Sequence, residues 1–127
     1  QTDAYAWFNL GTNYLYFERY DEAAEAFDMA RTLGLPQRFL RYQFGPFLAY
    51  FHTNRIDELL ALTEFVLKLP GNSEEALLWR GWAYVALGDS VQAAEFFQQA
   101  YWRNPNSIDA NYALDYLGVD PGLPPGE

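Results

Sequence analysis

The sequence predicts an all-α fold, an α-α superhelix (solenoid) of three helix-turn-helix repeats followed by a C-terminal capping helix. Three observations predict it: an internal repeat, small residues where helices must approach closely, and prolines at the end of each repeat. Residues 7–30 and 77–100 align at an offset of 70 positions, which leaves room for one further repeat of about 35 residues between them. No alternating apolar run between turns indicates a strand.

The repeat is visible in residue types at matching positions. The first repeat contains Trp7, Leu10, Gly11 and Tyr14, followed by Ala23, Phe27 and Ala30, and is closed by Pro36. The third contains Leu77, Arg80, Gly81 and Tyr84, followed by Ala93, Phe97 and Ala100, and is closed by Pro105. The middle repeat aligns at an offset of 36 and supplies Tyr50, Leu59, Val66 and Pro70.

Small side chains mark the contact between the two helices of a repeat. Gly11 and Gly81 remove volume from the first helix, and alanines remove it from the second. Phe27 and Phe97 fill the space one turn further on, as interdigitated packing requires. The same packing is therefore expected in the first and third repeats.

Capping residues and prolines set the predicted helix boundaries. Good N-cap residues occur in Asn72-Ser73, Asp89-Ser90 and Asn106-Ser107. Prolines follow the apolar-periodic runs, where helices stop. The predicted helices cover residues 4–17, 21–34, 38–53, 56–69, 74–87, 90–103 and 107–117. Within the third, Gly45-Pro46 predicts either a kink at Gly45 or a new helix starting at Pro46, because proline in a helix interior costs about 3 kcal/mol.

The first and third repeats resemble the tetratricopeptide repeat. The first has Trp-x-x-Leu-Gly-x-x-Tyr and then Ala-x-x-x-Phe; the third has Gly88-Asp89, Ala93-x-x-x-Phe97-x-x-Ala100 and Asn104-Pro105-Asn106. The middle repeat departs from the family, with Pro46, Phe47 and Thr63 in place of Leu, Gly and Phe. The resemblance implies a repeat domain over 1–119, with repeats at about 4–37, 38–73 and 74–107 and a capping helix at 107–117. The proline and glycine content of residues 120–127 predicts a flexible tail there.

A shorter stretch resembles a second group of proteins. The run Tyr42-Gln43-Phe44-Gly45-Pro46, leading into Leu59-Leu60-Ala61-Leu62-Thr63, is similar to the repeat tails of secreted bacterial papain-like peptidase proteins. The resemblance implies that the catalytic cysteine lies outside this segment.

Composition excludes several functions. Eight Lys+Arg against 17 Asp+Glu give a net charge of −9, which repels nucleic-acid phosphate and anionic lipid. The chain has no cysteine, so thiolate metal sites and cysteine nucleophiles are excluded.

No apolar run approaches the ~18 residues of a membrane span and no secretory signal is present, so we expect a soluble protein, cytoplasmic or secreted. Because residue 1 is Gln rather than Met, we expect a piece of a longer chain.

Enzymatic chemistry is not predicted, and neither are a metal or a cofactor. His52 is the only histidine, so a metal triad of histidines is impossible. The carboxylate pairs Asp21/Glu22, Asp57/Glu58 and Glu74/Glu75 each open a predicted helix, where the helix dipole favours negative charge. The sequence also lacks a phosphate-binding glycine loop and the spacing of a calcium loop.

The family resemblance implies a peptide-binding groove lined mainly by the first helix of each repeat. The residues implied to line it are Tyr5, Phe8, Asn9, Thr12, Leu15, Tyr16, Arg41, Phe44, Leu48, Phe51, His52, Leu78, Trp79, Trp82, Val85, Ala86, Tyr112 and Tyr116. This groove is aromatic and nearly uncharged, whereas family members that hold a C-terminal carboxylate use Lys, Arg and Asn. Here Asn9 and Arg41 alone match that chemistry. The same aromatic residues are equally compatible with packing between adjacent helices.

Two functions from different classes follow. The first is a scaffold module that binds a protein or peptide carrying apolar anchors. The alternative is a structural accessory domain that packs on an enzyme domain, such as a peptidase domain, of the same parent chain; an upstream Cys/His domain in the full-length sequence would favour it. Self-association through exposed aromatic residues is a third prediction, since solenoid ends without polar caps tend to stack.

Overall fold

A computed structural model describes residues 3–36, 39–40, 43–71, 73–124 and 126. Seven α-helices lie within these ranges: α1 (Ala4–Tyr16), α2 (Tyr20–Thr32), α3 (Gly45–His52), α4 (Ile56–Leu67), α5 (Glu74–Ala86), α6 (Ser90–Arg103) and α7 (Ile108–Leu117). The same ranges contain no strand, so the predicted all-α class is confirmed. The chain divides into two compact units, an N-terminal unit (Gln1–Leu62) and a C-terminal unit (Thr63–Glu127).

The third helix differs most from its prediction. It begins at Gly45 with Pro46 in its first turn, so the predicted range 38–53 is too long. Proline is tolerated there because the first turn has no intrahelical partner for its missing N–H. Residues 39–40 form a short 3₁₀ turn and Phe44 is the N-cap, while residues 38, 41 and 42 lie outside the described ranges. The other six helices begin and end within two residues of their predicted limits.

The same backbone conformation recurs in the turn between the two helices of each pair. Glu18, Asn54 and Gly88 have φ of 56°, 60° and 79°, and they stand 36 and 34 residues apart. In each turn the next residue donates its N–H to a tyrosine carbonyl: Arg19 to Tyr14, Arg55 to Tyr50 and Asp89 to Tyr84, at 3.0, 2.8 and 2.9 Å. The middle helix pair therefore turns like its neighbours, although its sequence is the most divergent.

Phe27 is the centre of packing in the N-terminal unit, where α2 packs on both α1 and α3. Its side chain is fully buried. A Cβ atom on Gly11 would lie 2.5 Å from Phe27 Cε1, and one on Gly45 would lie 2.8 Å from Phe27 Cζ. Glycine is required at both positions because no larger side chain fits against this ring. The contact of Gly45 was not predicted from the sequence.

Phe97 has the same role in the C-terminal unit. It is fully buried and contacts the backbone of α5 at Gly81. Alanines of α6 and α7 and Leu114 of α7 surround it, with Leu117 partly buried against this core. The terminal helix therefore covers the apolar side of α6.

Two of the predicted N-caps form and one does not. Asp89 accepts from the Gln92 N–H at 3.1 Å, and Ser107 accepts from the Ala110 N–H at 3.2 Å. Ser73 precedes α5 without capping it, because its hydroxyl instead accepts a hydrogen bond from Arg103 Nη1. Asn72 lies outside the described residues.

The segment that follows α7 is not helical and lies against α6. Gln98 Nε2 donates to the Asp120 carbonyl at 3.1 Å, and Trp102 Nε1 donates to the Gly122 carbonyl at 3.4 Å. Residues 125 and 127 lie outside the described ranges. The flexibility of the tail over 120–127 remains a prediction.

Candidate functional site

One face of α1 carries four of the predicted groove residues of the N-terminal unit. Tyr5, Asn9, Thr12 and Tyr16 recur at helical spacing, so they lie on one stripe. Tyr16 is 80% exposed, Tyr5 and Asn9 are exposed, and Thr12 is half-buried. Thr12 Oγ1 donates to the Phe8 carbonyl at 3.2 Å, so its hydroxyl already has a partner within the helix.

Phe8 belongs to the core rather than to a surface. It is only 3% exposed, and its ring centroid lies 4.9 Å from those of both Phe27 and Phe39. The physical reason is the turn at 39–40, which brings Phe39 onto α1. We therefore leave Phe8 out of any binding surface.

The predicted groove residues of α3 and its N-cap form a less exposed group. Phe44, Leu48 and Phe51 are half-buried, whereas His52 is exposed. The His52 ring stacks on Tyr20 of α2, with centroids 4.1 Å apart. Arg41 lies outside the described residues. Its proposed role in the groove stays a prediction.

An aromatic cluster joins two helices of the C-terminal unit. Trp82 of α5 is half-buried, and its ring centroid lies 6.2 Å from that of Tyr112 and 5.3 Å from that of Tyr116, both of α7. Tyr112 and Tyr116 are 62% and 59% exposed. Trp79, one turn before Trp82, is half-buried. We call Trp79, Trp82, Tyr112 and Tyr116 the aromatic face.

The aromatic face borders the core, and Leu78 lies beneath it. Leu78 is buried, so the structure places this predicted groove residue in the core of the C-terminal unit. The Trp82 ring also contacts Phe97, with centroids 5.0 Å apart. Trp82 therefore stabilises the fold as well as presenting part of its ring to solvent, while the two tyrosines extend outward.

Two carboxylates lie at the N-terminal end of the aromatic face. Glu75 is half-buried one turn before Trp79, whose indole N–H donates a hydrogen bond to it. Burial raises the pKa of Glu75, and the negative charge of Asp109 raises it further. Asp109 stands one turn before Tyr112 on α7, so the acidic pair and the aromatic rings follow the same two helices. We call Glu75 and Asp109 the acidic end.

Sequence reasoning missed the acidic end as part of a site. Glu75 opens a helix and its charge was attributed to the helix dipole, while Asp109 was not considered. Their spacing was the available signal, because Glu75 precedes Trp79 by four residues and Asp109 precedes Tyr112 by three. These spacings place each carboxylate on the same helical stripe as an aromatic ring.

The basic residues of the C-terminal unit have partners outside the aromatic face. Arg80 Nη1 donates to Thr63 Oγ1 at 3.2 Å, and its guanidinium lies 5.1 Å from the centroid of the Phe96 ring. Arg103 donates to Ser73, and Lys68 lies 3.9 Å from a carboxylate of α4. Helix α7 contains no basic residue. The acidic end therefore has no ion-pair partner of opposite charge among these contacts.

A charged cluster in the N-terminal unit is balanced internally. The Tyr50 hydroxyl donates to Asp28 Oδ1 at 2.7 Å and accepts from Arg31 Nη1 at 3.0 Å. Arg55 Nη2 donates to Asp28 at 2.9 Å and to Glu58 at 2.5 Å. Burial, followed by the Asp28 hydrogen bond, raises the pKa of Tyr50 to about 12. Two cations and two anions thus connect α2, α3 and the start of α4, which is a stabilising arrangement.

Two family models, each described as tetratricopeptide repeat, match residues 4–30 and 75–107. Two segments of the chain, together just under half of its length, therefore match the tetratricopeptide repeat. The matched segments cover α1 with most of α2, and nearly all of α5 with α6, which are the helix pairs built around Phe27 and Phe97. No curated protein matches the chain.

These matches support the general function of the repeat and no narrower one. Tetratricopeptide repeats generally mediate protein–protein interaction or scaffolding and are typically non-catalytic. The resemblance to the tails of papain-like peptidase proteins gains no support from them. Within the part of the chain that the structure describes, no helix has the length and apolar character needed to cross a membrane.

Proposed function

We propose that this chain is a protein-binding module that takes a peptide segment of its partner on the aromatic face of the C-terminal unit. The observation that carries the proposal is the exposure of Tyr112 and Tyr116, whose rings flank Trp82 instead of packing into the core. Tyrosine and tryptophan offer large, rigid contact areas at a low cost in side-chain entropy. They are also the residues that most often dominate binding energy at interfaces.

Trp82 has the position of a central anchor. It is half-buried against Phe97, so its orientation is held by the core. Rings that are fixed before binding lose little conformational freedom when a partner covers them. The aromatic face therefore combines a fixed centre with two exposed tyrosines at its rim.

Exposed side chains of α1 and α3 are further candidate contact residues in the N-terminal unit. Tyr5, Asn9 and Tyr16 are exposed along α1, and His52 is exposed at the end of α3. Their chemistry is mixed, with aromatic rings interspersed by an amide and an imidazole.

A second candidate function is a structural accessory domain that packs against another domain of its parent chain. The observation that favours it is the end of α1, where Tyr16 and Phe17 are 80% and 76% exposed. Two adjacent aromatic side chains in solvent are typical of a surface that another protein covers. In this case we expect Phe17→Ser to lower aggregation of the isolated chain, measured by light scattering, and to leave peptide binding at the aromatic face unchanged.

Peptide selection against the immobilised chain tests the main proposal. We expect the recovered peptides to lose about 2 kcal/mol of binding free energy, roughly 30-fold in affinity, on Tyr112→Ala or Tyr116→Ala. The matched control is Phe65→Ala, which removes another exposed aromatic ring of the C-terminal unit outside the aromatic face. Equal binding to all three variants would place the peptide elsewhere and contradict the proposal.

A further inference from the structure

The acidic end specifies the partner more closely, and this inference rests on the proposed function. We propose that the aromatic face binds segments that present an arginine or lysine, with the cationic group between Glu75 and Asp109 and a neighbouring apolar side chain on the rings of Trp82, Tyr112 and Tyr116. The partner is therefore a basic, apolar peptide segment.

The acidic end and the aromatic rings lie at matching positions along α5 and α7. On α5 the stripe is Glu75, Trp79 and Trp82, and on α7 it begins with Asp109 and continues through the two tyrosines. Trp82 contacts both tyrosine rings, and Glu75 lies close enough to Asp109 for its pKa to respond. The two stripes thus run side by side, with the acids at one end and the rings at the other.

The length of the face fits a short peptide. Glu75 and Trp82 are seven residues apart, which is about 10 Å along a helix. An extended peptide covers that distance with about three residues. We therefore expect the basic residue and the apolar anchor of the partner to stand about three positions apart.

Electrostatics favour a cation at the acidic end. Burial disfavours the charged form of Glu75, and the carboxylates of Asp109 and Glu74 repel it further. The contacts described above for Arg80, Arg103 and Lys68 are made outside the aromatic face, and none of those contacts brings a cation to Glu75. An incoming guanidinium or ammonium group would offset it and would gain cation–π attraction from the adjacent rings.

An acidic partner is disfavoured by the same observations. It would place a third negative charge beside two that already repel each other, in a chain of net charge −9. Like charges brought together at an interface suppress the wrong partner. This reverses the charge preference of repeats that hold a carboxylate with Lys and Arg.

Four capped nonapeptide pools test the inference on the full chain. Their central residue is Arg, citrulline, Leu or Glu, within identical randomised flanks, and citrulline keeps the shape of arginine without its charge. We expect the Arg pool to bind at least tenfold more tightly than the citrulline pool at neutral pH, and the Glu pool to bind most weakly. Equal binding of the Arg, citrulline and Leu pools would overturn the inference and leave the proposed function standing. Absence of binding by every pool would overturn both.

Substitutions at the acidic end locate the cation. Glu75→Gln and Asp109→Asn are expected to reduce the Arg-over-citrulline preference to less than threefold, while Glu95→Gln, an exposed acid on α6, leaves it unchanged. Gln retains an oxygen that can accept the hydrogen bond of Trp79, so thermal unfolding is expected to show an intact fold. A preference that persists in both acidic-end variants would place the cation elsewhere and contradict the inference.

Discussion

At the residue scale, one glycine–phenylalanine contact in each unit determines how closely two helices approach, α1 and α2 in the first unit and α5 and α6 in the second. Gly11 and Gly81 were predicted to have this role from their position in the repeat. Their backbones contact the rings of Phe27 and Phe97. A side chain at either glycine must displace a fully buried ring, and interiors packed to crystal density have no room for that displacement.

Gly81→Leu is expected to lower the free energy of unfolding by about 3 kcal/mol, because its side chain overlaps the Phe97 ring. The control is Gly88→Ala, where no atom lies within 4 Å of the added Cβ. Its φ of 79° still disfavours alanine, at a cost of about 1 kcal/mol. Urea unfolding midpoints of the two variants check the order. A Gly81→Leu midpoint equal to that of the wild type would contradict the contact.

Glu75 gives a stability prediction with a definite pH dependence. Because its folded pKa is raised above the ordinary value of 4.5, its carboxyl group favours folding when protonated, and this contribution is lost as the pH rises through the folded pKa. Glu75→Gln is therefore expected to be more stable than the wild type at pH 7, with a difference that shrinks as the pH falls through the raised folded pKa toward 4.5. Thermal denaturation over this pH range measures it. A Gln variant that is less stable than the wild type at pH 7 would contradict the assignment.

At the element scale, helices with clear start and stop signals could be predicted and α3 could not. Asp89 and Ser107 cap their helices through local hydrogen bonds, which depend on residues three positions away. Helix α3 begins at Gly45 because Pro46 fits a first turn and because Phe27 of α2 allows only glycine there. The second condition is a tertiary contact, and the sequence pattern alone left both a kink and a new start open.

Helix α7 has two faces with different roles. Leu114 is buried beside Phe97, whereas Tyr112 points away and meets Trp82. Truncation after Asn106 is therefore expected to expose the apolar side of α6 and to cause aggregation or a lower melting temperature. Truncation after Asp120 retains α7 and is expected to have little effect. Circular dichroism melting and light scattering compare the two, and an unchanged melt for the shorter chain would show that α7 does not cover the core.

At the scale of the whole molecule, net charge sets how partners arrive. A chain of net charge −9 attracts cationic segments over roughly one Debye length, about 10 Å at 0.1 M salt. We expect the association rate of an arginine-containing peptide to fall several-fold when salt rises from about 0.02 M to about 0.5 M, with a smaller change in its dissociation rate. Stopped-flow tryptophan fluorescence measures both rates. An association rate independent of salt would show that long-range charge has no part in recognition.

The sequence by itself determined the repeat, the helix class and the contacts of Gly11 with Phe27 and of Gly81 with Phe97, because each depends on spacing along the chain and on side-chain volume. It also supplied the aromatic residues of the candidate site. Only the tertiary structure decided which of them are core and which are surface: Phe8 is buried by Phe39, while Tyr112 and Tyr116 remain exposed beside Trp82. Only the tertiary structure likewise places Asp109 where its charge raises the pKa of Glu75, since the distance between side chains on two helices depends on how those helices pack.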